Sequence, residues 1–184
     1  MDPHIIYGNS KLNHATQPDK IMKTLLLIRH AKSSWDHAHL TDFERPLNDR
    51  GKKDAPLMAK KVKERKLKID RFISSPAKRA KKTATIFMEE YELKEKDLVL
   101  VPSLYEASEK NFYDSIENIN DKDDVVALFS HNPGITDFVN RLTDKNIDNM
   151  PTCAVFAVKI KTKKWKDFEK AEKEFLFFDY PKNV

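Results

Sequence analysis

The stretch Leu25–His30, with the sequence LLLIRH, decides which fold the rest of the chain can adopt. Consecutive aliphatic residues bounded by polar sequence are typical of a buried strand in a parallel sheet. Arg29 and His30 follow at the carboxyl end of that strand, where open α/β sheets form their ligand crevices. An arginine can bind a phosphate, and a histidine can act as base, metal ligand or nucleophile. The pair could equally be two ordinary polar residues at a strand end that reaches solvent.

The composition predicts a single domain with a highly charged surface. The chain has 184 residues, of which 40% are hydrophobic and 34% charged, and this length can bury a substantial core. Only 3 glycines are present, and no Walker motif or dinucleotide fingerprint occurs. The net charge of +5 favours anionic substrates or acidic protein partners. Lysine runs at 52–68 and 159–166 are more typical of solvated faces than of a nucleic-acid site.

Cysteine usage and hydropathy predict a cytoplasmic protein with no membrane partner. The single cysteine, Cys153, suits a reducing compartment, and its apolar neighbours predict a buried structural thiol. No apolar run approaches membrane-spanning length, and no signal-peptide core is present. Residues 1–22 lack periodicity and are predicted to be a flexible leader, with His4 and His14 incidental. One domain is predicted over residues 23–184.

Hydrophobic periodicity predicts a three-layer α/β/α sandwich with a mostly parallel central sheet. Strands and helices alternate along the chain, and two closing strands follow. The Lys- and Glu-rich segment 161–173 is predicted to lie on the surface. The predicted strands are 24–30, 69–73, 97–101, 125–129, 154–160 and 175–178, and the predicted helices are 48–65, 77–91, 112–119 and 135–142.

Polar residues suited to phosphoryl chemistry follow successive predicted strands. Arg29 and His30 follow the first strand, and Arg79 lies in the first turn of the helix after the second. Glu106 follows the third strand, and His131 follows the fourth. Parallel strands bring their carboxyl ends to one edge of a sheet, so we expect these side chains to converge there. Individually, Arg79 could be a surface cation and Glu106 a neighbour of a helix cap.

Together these residues could catalyse phosphoryl transfer. Arg29 and Arg79 would neutralise charge on the phosphoryl oxygens, and His131 would donate a hydrogen bond to them. A neutral His30 could attack phosphorus in line and form a phosphohistidine intermediate. Glu106 could protonate the leaving oxygen and later activate water.

This scheme requires no metal or cofactor. Asp36, His37 and His39 could be imagined as a metal cluster. No second group of spaced ligands accompanies them, and a solvated loop explains them better. The prediction is therefore that the protein binds no metal ion and no cofactor.

Three motifs resemble those of the histidine phosphatase (phosphoglycerate mutase-like) superfamily. Leu27–Ser33 resembles the Arg-His-Gly signature, Ser74–Ala84 the second arginine motif, and Ser130–Asn132 the second histidine motif. Their order and spacing match over residues 23–184. Asp42–Gly51 and Pro151–Ala154 are similar to patterns of the short branch that includes the SixA-type phosphohistidine phosphatases.

The resemblance implies that His30 is the nucleophile and that Arg29, Arg79 and His131 complete a phosphate pocket. It adds Arg45 as a further pocket candidate. A salt bridge from Arg45 to Glu44 or Asp42 would explain that arginine equally well. Ala31 stands where the superfamily usually has glycine, and we do not expect its small methyl group to abolish activity.

The segment after the third strand is short, whereas larger relatives build a substrate lid in such places. An open site suits a phosphate presented by another protein, such as a phosphohistidine on a phosphotransfer domain, better than an enclosed sugar phosphate. Imidazole can be protonated before it leaves, so Glu106 would matter less there than in ester hydrolysis. The predicted function is a metal-independent phosphatase acting on a phosphohistidine protein or a small phosphoester. A phosphomutase and a non-catalytic phosphate-binding module are the alternatives.

Overall fold

The computed structural model describes residues 22–36 and 39–183 of the chain. Except for Met22, the predicted leader lies outside the described residues, and so does His37. Strands and helices alternate in the predicted order, followed by two closing strands. The elements are β1 (Lys23–Arg29), α1 (Asp49–Glu64), β2 (Arg71–Ser74), α2 (Lys78–Glu90), β3 (Val99–Leu100), α3 (Glu109–Glu117), β4 (Val125–Ser130), α4 (Gly134–Leu142), β5 (Val155–Ile160) and β6 (Lys173–Asp179).

The strands form one mixed sheet in the order β3-β2-β4-β1-β5-β6. β4 pairs in parallel with β1 and β2, and β2 pairs in parallel with β3, whereas β5 is antiparallel to β1 and β6. The predicted, mostly parallel sheet is therefore confirmed. Arg29 pairs with Ser130 in the β1–β4 register, so the residues that follow, His30 and His131, leave the sheet side by side.

Helices cover both faces of the sheet, which explains the uninterrupted apolar run in β1. Leu25 and Leu27 point into a core shared with α3 and α4, whereas Leu26 and Ile28 point into a core shared with α1 and α2. Each of these side chains is fully buried. Burying an aliphatic side chain contributes about 1.5–3 kcal/mol, so both faces of β1 stabilise the sandwich.

Helix α1 begins where the sequence allows one of its free amide groups to be capped. Asn48 precedes α1, and its side-chain oxygen accepts a hydrogen bond of 2.9 Å from the amide of Gly51. Pro56 lies within α1 without ending the helix. In α1 the side chains of Met58, Ala59 and Val62 are fully buried. This helix packs against α2 on one face of the sheet.

The structure departs from the sequence-based prediction at β3. The predicted strand 97–101 is reduced to Val99 and Leu100, both partly exposed at the sheet edge. A 3₁₀ turn, Glu95–Asp97, precedes it. Pro102, which has no amide hydrogen for a ladder, follows almost at once and begins another 3₁₀ turn.

The prediction that segment 161–173 is all surface is wrong for two aromatic residues. Trp165 and Phe168 are fully buried in the core on the α3–α4 face. The indole Nε1 of Trp165 donates a hydrogen bond of 2.7 Å to the carbonyl oxygen of Asp123. The surrounding lysines hide this anchor from an argument based on local composition.

None of the helices within the described residues combines the length and the apolar character that crossing a membrane requires. Over residues 22–36 and 39–183, no group of three or more His, Cys, Asp or Glu side chains is arranged to hold a metal ion.

Candidate active site

The carboxyl edge of the sheet carries a cavity of about 420 Å³. It contains every site residue predicted from the sequence, although they come from remote parts of the chain. The predicted residues that line it are Arg29, His30, Arg45, Arg79, Glu106 and His131. The rings of His30 and His131 lie 4.9 Å apart between centroids and are tilted by 50°. The two histidines therefore face the same hollow.

Hydrogen bonds fix the tautomer of His30. Its Nδ1 lies 2.7 Å from the carbonyl oxygen of Ala31, and because a carbonyl only accepts, Nδ1 must carry the proton. Its Nε2 accepts a hydrogen bond of 3.2 Å from Nε of Arg79. Burial, and then the neighbouring His131, hold the pKa of His30 well below its ordinary value of 6.5. The ring is thus neutral, with its lone pair on Nε2.

The turn that carries His30 is tied to α2. The amide of Ala31 donates to Oγ1 of Thr83 over 3.0 Å, and that hydroxyl donates to the carbonyl oxygen of Arg79 over 2.7 Å. The methyl group of Ala31 is fully buried in the core on the α1–α2 face. The packing at this turn therefore accommodates the side chain of Ala31.

Asp42, which the sequence suggested only as a partner for Arg45, links the two arginines on one side of the cavity. Its carboxylate accepts from Arg79 Nη2 at 2.8 Å, from Arg45 Nη1 at 2.7 Å and from the Tyr105 hydroxyl at 2.9 Å. Nη1 of Arg79 also donates a hydrogen bond to the backbone carbonyl oxygen of Asp42. Burial opposes its ionisation, but hydrogen bonds from Arg45, Tyr105 and Arg79 lower the pKa of Asp42 to about 2.

Arg45 satisfies both explanations that the sequence left open. It lines the cavity and also forms a salt bridge with Asp42. Its other donors bind the carbonyl oxygen of Ser34 at 2.9 Å and the hydroxyl of Ser33 at 2.7 Å. The exposed ring of Trp35 stacks on the guanidinium group, with 3.2 Å between Cζ and the ring centroid. These contacts hold Arg45 rigidly at the cavity wall.

His131 is held by Ser75, a residue that the sequence analysis did not single out. Nε2 of His131 and Oγ of Ser75 are 2.8 Å apart. Burial, and then the charge of Arg79, lower the pKa of His131 to about 3. Within the described part of the chain, Nδ1 of this ring is buried and has no hydrogen-bond partner. When Ser75 donates to Nε2, Nδ1 carries a proton that no described residue accepts.

Arg29 brings a further cation to the cavity. Its Nη1 donates to the carbonyl oxygen of Met150 over 2.6 Å, while Nε is buried without a partner among the described residues. Burial, and then the charge of Arg79, lower the pKa of Arg29. A bound dianion would relieve this repulsion between cations.

Glu106 lies at the rim of the same cavity. Its backbone has a φ of 53°, a left-handed conformation that costs a side-chain-bearing residue about 1 kcal/mol or more. Its side chain is exposed, and it has no hydrogen bond or ion pair to any described residue. The short segment between β3 and α3 contains the 3₁₀ turn Pro102–Leu104 and supplies both Tyr105 and Glu106 to the cavity.

The sequence analysis did not single out Ser75 or Tyr105 as site residues. Ser75 follows β2 directly, within the motif that also contains Arg79, so its place at the carboxyl edge is a signal that could have been used. Tyr105 precedes Glu106, and its role depends on a contact with Asp42, 63 positions away in the chain.

The arrangement suits in-line phosphoryl transfer. A neutral imidazole with a defined lone pair faces a hollow lined by guanidinium groups and a second imidazole. Positive groups placed where phosphoryl charge develops stabilise such a transition state.

Comparison with known proteins extends this description. The profile of the "Histidine phosphatase superfamily (branch 1)" matches residues 25–112. A 2,3-bisphosphoglycerate-dependent phosphoglycerate mutase from Bartonella henselae is 37% identical over 105 residues, covering 56% of this chain and 48% of that protein. The chain thus matches about half the length of this curated relative.

Solved structures share the fold over most of the chain. The protein histidine phosphatase SixA, in complex with tungstate, superposes with a TM-score of 0.74 at 23% identity, covering 87% of this chain and 98% of that one. A SixA-type protein from Agrobacterium tumefaciens gives a TM-score of 0.70 at 21% identity, covering 86% and 98%. Residues 25–112 therefore match the histidine phosphatase superfamily, and the fold of most of the chain is the one that the two SixA-type structures share.

Proposed function

We propose that this protein is a metal-independent phosphatase that hydrolyses a phosphohistidine on another protein through a covalent intermediate on His30. The observation that carries the proposal is the hydrogen bond from Arg79 Nε to His30 Nε2, inside a cavity that Arg29 and His131 also line. It supports an imidazole nucleophile and a phosphate-binding group in direct contact.

In the first step, the lone pair on His30 Nε2 attacks phosphorus. The bond from phosphorus to the leaving nitrogen or oxygen breaks on the opposite side, and the leaving group departs with the bonding electrons and takes up a proton. Arg29, Arg79 and the Nδ1 proton of His131 would balance the charge on the phosphoryl oxygens. Glu106, exposed at the rim, would donate the proton when the leaving group is an alkoxide.

In the second step, water attacks the phosphorus of phospho-His30. The P–N bond breaks, its electron pair returns to Nε2, and inorganic phosphate is released, while the proton lost from the water passes to the carboxylate of Glu106 or to solvent. The proton on Nδ1 of His30 stays there throughout, because it is already hydrogen-bonded to the carbonyl oxygen of Ala31 before the reaction. The histidine is therefore restored in the same tautomer.

The rim of the cavity supports a substrate presented on a protein. Trp35 is 72% exposed and Phe43 is 38% exposed, and Phe43 packs edge-on against Tyr105 with 5.1 Å between ring centroids. These aromatic surfaces would contact a large leaving group and the protein that carries it. Two structural neighbours of the chain are SixA-type histidine phosphatases, which also favours a phosphohistidine substrate. A cytoplasmic location fits this proposal.

The proposal is tested by comparing kcat/KM for a phosphohistidine protein with kcat/KM for an aryl phosphate. Wild type should hydrolyse both and favour the phosphohistidine protein, and His30→Ala should hydrolyse neither. His39→Ala, at an exposed histidine of the neighbouring loop, is the matched control. Turnover by His30→Ala would rule out the mechanism. Tight binding of phosphorylated protein without turnover by wild type would instead indicate a non-catalytic binding module.

A phosphomutase is the second candidate, because the curated relative from Bartonella henselae is a phosphoglycerate mutase. A mutase returns the phosphoryl group of the enzyme to a second hydroxyl of the substrate. Transfer of a labelled phosphoryl group to such an acceptor, in place of water, would decide for this function.

A further inference from the structure

A second cavity, of about 390 Å³, adjoins the candidate active site. Arg29, Lys32 and Thr152 line both cavities. The hydroxyl of Thr152 accepts a hydrogen bond of 3.1 Å from Nη2 of Arg50, which lines only the second one. We refer to this second cavity as the basic groove. Because the two cavities share lining residues, an extended substrate bound at His30 can continue into the basic groove.

Most of the charged side chains that line the basic groove are positive. Arg29, Lys32, Arg50 and Lys182 line it, and Asp54 is its only acidic lining residue among those described. Asp54 lies 3.6 Å from Nε of Arg50, so part of the charge of Arg50 is already balanced. Lys32 and Lys182 have no hydrogen bond or ion pair from their side chains to any described residue. The groove thus has an excess of positive charge without an internal partner.

The wall of the groove is built by a close approach of two backbones. The carbonyl oxygen of Lys32 accepts a hydrogen bond of 3.0 Å from the amide of Asn48. A Cβ atom on Gly51 would lie only 2.1 Å from that same oxygen. Glycine at this position therefore lets the start of α1 contact the segment after His30, and this contact places Lys32 and Arg50 on one groove.

We propose that the basic groove binds carboxylate side chains of the phosphoprotein substrate, next to its phosphohistidine. This inference rests on the proposed function. The groove is open, since the Arg50 side chain is 57% exposed and Lys182 is exposed, and long flexible cations suit an acidic protein surface better than one small anion held in a fixed geometry. Lys32, Arg50 and Lys182 are thereby assigned to substrate specificity.

The test uses two peptides of equal length, each phosphorylated on one histidine with phosphoramidate. One has glutamates beside the phosphohistidine, and the other has glutamines there. Wild type should favour the glutamate peptide in kcat/KM by about threefold to tenfold at low salt, since exposed ion pairs are individually weak. The preference should shrink in 1 M salt because of screening.

Lys182→Glu should abolish or reverse this preference. Lys122→Glu makes the same change of charge at an exposed lysine just before β4, at the opposite end of the strands, and should keep the preference. Hydrolysis of an aryl phosphate should stay within about twofold in both variants, because neither lysine lines the first cavity. Equal rates for the two peptides in wild type, or an unchanged preference in Lys182→Glu, would overturn the inference.

A binding measurement separates this inference from the proposed function. A fluorescent glutamate-rich peptide without phosphate should bind wild type in an anisotropy titration, and bind the Arg50→Gln and Lys182→Glu variants several-fold more weakly. If wild type hydrolyses the aryl phosphate but neither phosphohistidine peptide, the proposed function is wrong. The anisotropy titration alone then tests whether the basic groove binds carboxylate side chains. Equal binding by wild type and variants refutes the groove. Lys182-dependent turnover of a small bisphosphate without peptide binding also refutes it as a protein-docking site.

Discussion

Arg79 donates a hydrogen bond from Nε to Nε2 of His30 across 3.2 Å, and this contact joins the first strand of the sheet to the second helix. It has two consequences for chemistry. The lone pair of the neutral ring is directed at the group that would bind the phosphate, and the guanidinium charge resists protonation of that ring. The contact gives a physical reason for the low pKa of His30 beyond burial alone.

Replacing Arg79 with lysine should lower kcat/KM for an aryl phosphate by about 10²–10³-fold. Lysine keeps the charge but cannot contact His30 and the phosphate with a planar fork of donors. Steady-state kinetics would measure the change. Lys78→Ala, at the exposed neighbouring position in α2, is the control and should retain activity. Near-normal activity in Arg79→Lys would show that the fork geometry is unimportant.

Asp42 accepts hydrogen bonds from Arg79 and Arg45, so it would compete for them with the phosphate in the proposed mechanism. Asp42→Asn should therefore tighten inhibition by inorganic phosphate several-fold, while kcat falls because both arginines lose a fixed orientation. Inhibition constants and kcat from the same assay would check both parts. Asp49→Asn removes a carboxylate that is 93% exposed and should change neither. Weaker phosphate inhibition in Asp42→Asn would contradict the competition.

The buried histidines should make the protein less stable in mild acid. The pKa of His131 is about 3 in the folded protein against an ordinary value of 6.5, so the unfolded chain takes up this proton first as pH falls. The contribution of neutral His131 to the free energy of unfolding is therefore fully present above pH 6.5 and is lost as the pH falls from 6.5 to about 3. The loss is about 1.4 kcal/mol per pH unit, or about 2 kcal/mol by pH 5.

Urea unfolding at pH 7 and pH 5 measures this effect. His131→Gln cannot titrate, so its free energy of unfolding should drop by about 2 kcal/mol less than that of wild type over this interval. His39→Gln, at an exposed histidine, should behave like wild type. An equal loss in wild type and His131→Gln would show that His131 is not buried in its neutral form.

Gly51→Ala should destabilise the protein by about 1–3 kcal/mol, the usual cost of overpacking. The added Cβ would meet the carbonyl oxygen of Lys32, which is backbone and cannot rotate away. Because Lys32 lies two positions after His30, catalysis should suffer as well. Lys52→Ala, at the next and exposed position of α1, is the control for thermal unfolding and turnover. Unchanged stability in Gly51→Ala would mean that α1 can shift without cost.

The ends of β1 and β4 could be predicted, because each strand is a short apolar run that is followed directly by polar residues. The apolar stretches of β1 and β4 indicate buried parallel strands, and the residues that follow them must emerge at one edge of the sheet. That rule places His30 beside His131 across a separation of 101 positions in the chain. Arg79 follows in the same way from its position at the start of α2.

Contacts that depend on tertiary packing were not predictable. The carboxylate of Asp42 is positioned by Arg45, Arg79 and Tyr105 together, and nothing near Asp42 in sequence specifies that set. Trp165 and Phe168 were missed for a related reason, since two buried aromatic residues among lysines leave no periodic signal. The length of β3 was overestimated because alternating valines at 99 and 101 favour a strand, while edge position and Pro102 end it.

The central claim, that Nε2 of His30 carries the phosphoryl group, is tested most directly by trapping the intermediate. Wild type is mixed with excess phosphorylated substrate, quenched in alkali because phosphohistidine is labile to acid, and digested for mass spectrometry and phosphorus NMR. The account predicts one phosphorylated residue, His30, modified at Nε2, since Nδ1 is bound to the carbonyl oxygen of Ala31. A phosphoryl group on Nδ1, on another residue, or on none during active turnover would contradict it.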